Sequence, residues 1–212
     1  ADGTHDFRAM QTDLGSNDSP WSTALSVVVD TSAPVAPTFL SPASGSTTND
    51  NTPLITGTGA ASDSGAIMVI LSGASVVGTG RLNSLGQWSI TTSTLADMTY
   101  VFTGYIVDIA GNTGATSNHT LTGDTGIPAA PATPDLLAGS DTGESNSDNN
   151  TSDNTPTFNI GGCENGNTVT LSGAGLSATG TCSSGSATIT LTTAADGTHD
   201  FRAMQTDLGS ND

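Results

Sequence analysis

Residues 1–18 read ADGTHDFRAMQTDLGSND, and residues 195–212 read the same letters in the same order. So long an identity makes the chain a stretch of tandem array with a period of 194 residues. Self-similarity of this kind decides the architecture before any local reading does. Working outward, the period is itself double. DTSAPVAP at 30–37 returns as DTGIPAAP at 124–131, and TNDNTP at 48–53 returns as TSDNTP at 151–156. LADMTYVF at 95–102 pairs with AADGTHDF at 194–201, and DIAGN at 108–112 with DLGSN at 207–211. The offsets of 94, 103, 99 and 99 describe two diverged domains per period. The proline-rich stretches 33–37 and 128–134 read as short, fairly stiff linkers.

Composition sets the class. Glycine is abundant, aromatic residues are 4% of the chain, and short runs of Val, Ile, Leu and Thr alternate with turn residues. That pattern predicts an all-β fold, and no amphipathic helix of useful length competes with it. In the middle domain the spacing predicts strands at 37–40, 53–58, 66–72, 76–81, 87–92, 99–107 and 116–122. Trp88 and Ile90, like Tyr100 and Phe102, lie two positions apart and so share a face. The formal net charge is −17, with Arg8, Arg81 and Arg202 as the basic residues and no lysine. Nucleic acid and anionic lipid both need a basic footprint and are therefore poor partners. No apolar run approaches the length of a membrane span.

DTSAPVAP, NDNTPLITGTG, GQWSITT, the LADMTYVF strand and DIAGN, in that order and spacing, resemble the bacterial immunoglobulin-like repeats of giant surface adhesins. The resemblance covers the whole chain. It implies tandem seven-stranded β-sandwiches, strands A to G, stacked end to end. On that layout residues 1–30 carry strands F (4–12) and G (22–30), residues 31–124 a complete domain, and residues 125–212 a domain lacking its last strand. An unpaired sandwich edge is a template for another strand. Ser22, Ala24, Leu25, Val27 and Val29 are accordingly expected to complete a neighbouring copy, in cis or head to tail.

The same layout puts Cys163 after strand B and Cys182 at the end of strand D, both at the N-terminal pole. A disulfide follows from that position and from an extracellular setting. A metal-binding or reactive thiol pair would need a nearby histidine or CxxC spacing, which is missing. Asp30 and Asp124 end strand G and enter the linkers. They should approach Asp108 with Asn112, and Asp207 with Asn211, in the F–G loops. Calcium, a hard ion that prefers oxygen ligands, suits such a group. The resemblance implies the same ion at domain junctions. The competing reading is a tight turn in which each aspartate bonds its own backbone. The acidic stretch 140–154 reads as a solvated loop, with ion binding as its alternative, and Asp13 and Asp63 are weaker candidate ligands. His5, His119 and His199 read as surface or rim residues, and Trp88 as core.

These features describe a structural extender of a secreted or cell-surface bacterial protein, stiffened by calcium, and not an enzyme. A filament or sheath subunit joined by strand complementation is the alternative. A carbohydrate-binding module is a third, which the supply of aromatics scarcely supports.

Overall fold

The computed structural model describes residues 1–212. All regular structure is β apart from one 3-10 turn at Ala61–Asp63. By its contacts the chain divides into two compact units. One comprises Ala1–Ser46, Thr52–Ser93 and Tyr100–Leu121, the other Thr47–Asn51, Thr94–Thr99 and Thr122–Asp212.

The chain opens with an antiparallel pair, β1 (Gly3–Phe7) and β2 (Leu25–Val29), in which Thr4 faces Val28 and Phe7 faces Leu25. Both are shorter than the sequence predicts. Residues 8–12 are not a strand here, although Ala9 and Gln11 still bond Ser22 and Ser19 across the hairpin.

Eight strands follow: β3 (Thr38–Ser41), β4 (Ser46–Thr48), β5 (Leu54–Thr58), β6 (Ile67–Ser72), β7 (Ser75–Arg81), β8 (Gln87–Thr91), β9 (Met98–Val107) and β10 (Ser117–Gly123). They form a three-stranded sheet, β3-β5-β8, and a five-stranded sheet, β4-β10-β9-β6-β7. The extra element is β4, three hydroxyl residues inside what reads as a loop. It lies beside β10, with Gly45 N donating to Thr120 O and Asp124 N to Thr48 O, so the two strands run parallel. Alternation builds the core. Trp88 and Ile90 of β8 are buried while Gln87, Ser89 and Thr91, which alternate with them, are exposed. Phe39 meets the Trp88 ring edge-on at 5.3 Å and stacks on His119 at 4.8 Å. Ile55, Met68, Ile70, Phe102, Ile106 and Leu121 fill the rest. Gly57 is required by close approach: a Cβ there would lie 2.2 Å from the Trp88 ring and 2.0 Å from the Thr38 carbonyl.

The last six strands are β11 (Asp135–Leu136), β12 (Thr157–Gly161), β13 (Thr168–Gly173), β14 (Leu176–Thr181), β15 (Ser186–Thr190) and β16 (Phe201–Thr206). They make two sheets, β11-β12-β15 and β14-β13-β16. Phe158, Ile160, Val169, Leu171 and Ile189 form their core, with Phe201 packed against it. The repeated stretch behaves differently in its two places. Residues 8–12 and 202–206 are identical in sequence, yet only the second set lies in a strand, because β13 is there to pair with it.

Candidate functional site

The repeated Asp-x-x-x-Asn segment forms the same turn three times. The Asn main-chain amide donates to the Asp carboxylate at 2.9 Å for Asn17–Asp13, 2.8 Å for Asn112–Asp108 and 2.9 Å for Asn211–Asp207. The Asn side-chain amide donates to the other carboxylate oxygen at 3.0, 2.8 and 3.0 Å respectively. The residue before each Asn is left-handed, with φ of 64° at Ser16, 94° at Gly111 and 69° at Ser210. Only Gly111 adopts that conformation without steric cost. Donors facing the carboxylates stabilise their charged form. The Asn112 side-chain bond holds Asp108 below the usual carboxylate range, and the Asn17 amide does so for Asp13. At Asp207 burial pushes upward, and the Asn211 bonds outweigh it.

This turn reaches the linkers. The Asn112 side chain also donates to the Asp30 carbonyl at 3.1 Å, and Asn211 to the Asp124 carbonyl at 2.8 Å. The carboxylates of Asp30 and Asp124 turn the other way, onto the amides of Ser32 and Gly126. From the opposite side, Asp2 accepts from the Thr31 hydroxyl at 2.8 Å and from Ser32 at 3.0 Å. Asp97 does the same for Thr125, through its amide at 3.0 Å and its hydroxyl at 2.9 Å. Each Asp-Thr step, 30–31 and 124–125, is thus gripped on both sides by repeat-equivalent residues. Sequence reasoning missed Asp2 and Asp97. Their shared repeat position, just before strand F, was the available signal. Close contact continues along the first linker, where a Cβ on Gly114 would lie 2.5 Å from the Pro34 carbonyl.

A disulfide joins Cys163 and Cys182, whose Cα atoms are 6.0 Å apart across a sequence separation of 19 residues. A loop of that length contributes ~3 kcal/mol by the chain-entropy account. The middle sandwich instead packs Leu82 against Gly59 and Ile106. Beside the bridge sits Gln205, buried, at the position corresponding to Ile106. Its carbonyl oxygen accepts from Glu164 N at 2.9 Å and Asn167 Nδ2 at 3.2 Å, while its amide donates to Ala129 O in the second linker. Sequence reasoning missed this residue too, although a polar side chain at an inward strand position was the clue.

The remaining candidates are dispersed. His5 and His199 bond the carbonyls of Ala1 and Ala195 at the surface. His119, expected at the rim, is buried, because β10 turns His119 and Leu121 to the same inner face. Trp21 is exposed. Nowhere do three carboxylate, imidazole or thiol groups converge. Of the proposed complementing residues, Leu25, Val27 and Val29 lie exposed on β2, whereas Ser22 and Ala24 precede it and Ser22 is bonded to Ala9.

Two open-ended β-sandwiches in tandem, each with a three-stranded sheet of the same order, define the immunoglobulin-like class. The bacterial Ig-like domain family matches residues 41–125 and 128–212, and the chain belongs to it. No curated protein matches the sequence. Among solved structures it is similar to the BSP domain of a biofilm-associated protein, at 15% identity and TM-score 0.34 over 81% of this chain and 27% of that one. It is also similar to the D00-D0 domain of intimin, at 15% identity and TM-score 0.28 over 81% and 93%. A third is SGBP-B of the Bacteroides ovatus mixed-linkage glucan utilization locus, in complex with a mixed-linkage heptasaccharide, at 15% identity and TM-score 0.29 over 94% and 47%. Likeness at this level carries no functional argument. No helix is long and apolar enough to cross a membrane.

Proposed function

We propose that the chain is a repeated extender of an adhesin-like protein, secreted by a bacterium or displayed on its surface, with domains at 31–124 and 125–212 preceded by a partial domain at 1–30. Membership of a bacterial Ig-like family supports this, as do the 194-residue period and the acidic surface. The observation that carries it is the double grip on each Asp-Thr step. A linker restrained by proline and held on both sides keeps successive modules from swinging freely, so repeat number sets reach.

Calcium at the same groups is part of the proposal. In each grip the Asn amide donates to a carboxylate and a carbonyl, where a cation would otherwise gather them. A half-turn of that amide presents its oxygen instead. Asp108, Asn112 and the Asp30 carbonyl would then supply three oxygens, and Asp207, Asn211 and the Asp124 carbonyl three more. The second reading is a filament, favoured by the exposed apolar β2, with Val28 72% and Leu25 65% accessible, and by the unpaired edge of β16.

Small-angle scattering over a concentration series, with calcium and with chelator, tests all three. The extender reading expects the D97A/N211A variant to sample more compact shapes than the wild type while its far-ultraviolet circular dichroism stays the same. Identical scattering would sink the grip. A particle whose length ignores calcium removes the ion from the linkers, and one whose mass ignores concentration removes the filament.

A further inference from the structure

The last sandwich carries a loop, 138–154, that is longer than its counterpart at 42–50 in the middle one. It is stitched across its base. Gly143 N donates to Asn150 O at 2.9 Å, and the Thr142 hydroxyl bonds Ser152 at 3.0 Å. The Thr151 hydroxyl caps the Ser140 carbonyl. Folded into this loop is Asp141, only 4% exposed. Its Oδ2 accepts from the Asn149 amide at 3.2 Å, which directs the carboxylate into the loop. Its Oδ1 is enclosed and has no hydrogen-bond partner.

A carboxylate oxygen removed from water and given no donor is costly, unless a proton or a cation answers it. The chain has no lysine, and its arginines stand at 8, 81 and 202, outside the loop. The same loop carries further oxygens at exposed positions, where Asp148 Oδ1 accepts from Asn150 N and the Asn150 carbonyl from Gly143 N. Asp148 Oδ1 and the Asn150 carbonyl come within 3.1 and 2.8 Å of the point where a Gly143 Cβ would sit. Asp153, by contrast, is saturated by Thr155 and Ser140.

We propose that this loop is a calcium site, in which Asp141 supplies the anchoring carboxylate and Asp148 and loop carbonyls complete an all-oxygen shell. Calcium accepts one or two carboxylates among carbonyl and water ligands, whereas magnesium demands a tighter octahedron. The shell needs no third carboxylate, in keeping with the absence of any such cluster. The site is independent of the linker grips. It occurs in only one of the two domain types, so the array would bind one such ion per 194 residues.

Hydrogen exchange of the intact chain, with calcium and with chelator, tests it when combined with thermal melts. Calcium is expected to slow exchange across 138–154 in the wild type and in N112A/N211A, and not in D141N. D148N, at an exposed position, should need more calcium for the same protection. In chelator D141N should melt above the wild type, because an unanswered buried charge has gone. In calcium that order should reverse. Loop exchange indifferent to calcium, or a D141N variant that responds as the wild type does, overturns the proposal. So does a D141N variant that is less stable than the wild type in both media, which marks the carboxylate as purely structural.

Discussion

His119 stacks on Phe39 in the core with its Nε2 unpartnered, and burial pulls its pKa below the ordinary 6.5. The folded state therefore holds the proton less tightly than the unfolded one. Its contribution to stability is complete above pH 6.5 and is lost as the pH falls below that value. The midpoint of thermal unfolding should drop between about pH 7 and about pH 5, and His119→Leu should flatten that drop. A wild-type midpoint level across the window would show the ring to be solvated. Asp108 and Asp13 do not interfere. Their lowered pKa values place any loss of stability below 3.8. The residue scale is also where the sequence was least legible. Asp-x-x-x-Asn announces a turn by its own chemistry. Nothing in one copy of it says that the asparagine has a spare donor for a carbonyl eighty-odd residues away. Gln205 was hidden for a related reason. Its sequence twin Gln11 is exposed, so the letter alone carries no burial.

Elements were far more legible, because alternation and turn residues are local signals. Seven strands of the middle sandwich fall within a residue or two of their predicted bounds, and β4 escaped because three small hydroxyl residues have no apolar side to display. The identical stretches show the limit of local reading. Strand F is a two-partner element. Its first half pairs with G, as β1 does with β2, and its second half with C, as β16 does with β13. In β9 both halves form one ten-residue strand. Partners and not propensity set its extent. Sheet packing at this scale turns on Gly57, over which the Trp88 ring lies. Gly57→Ala forces that ring or β3 aside, and overpacking of this kind should cost about 1–3 kcal/mol. A chemical-denaturation midpoint for the variant equal to that of the wild type would mean the ring swings away freely.

For the whole molecule, charge is the dominant fact. Seventeen net negative charges repel one another in the compact state, and mobile ions screen that repulsion. Raising sodium chloride from about 0.05 to about 0.5 M should therefore raise the unfolding midpoint with no specific ion involved. A midpoint that stays level would place the carboxylates too far apart to matter. The tandem organisation was legible from the repeat itself, whereas the gripping of the linkers needed coordinates. β4 and β10 carry a further consequence. They run side by side in the same direction, one near the point where the chain enters the sandwich and the other where it leaves. Pulling the two ends apart would slide one strand along the other, so that the Gly45–Thr120 and Asp124–Thr48 bonds bear the load together. A module tied in this way resists tension up to a threshold and then gives way abruptly, where a hairpin pulled open from one end would part bond by bond.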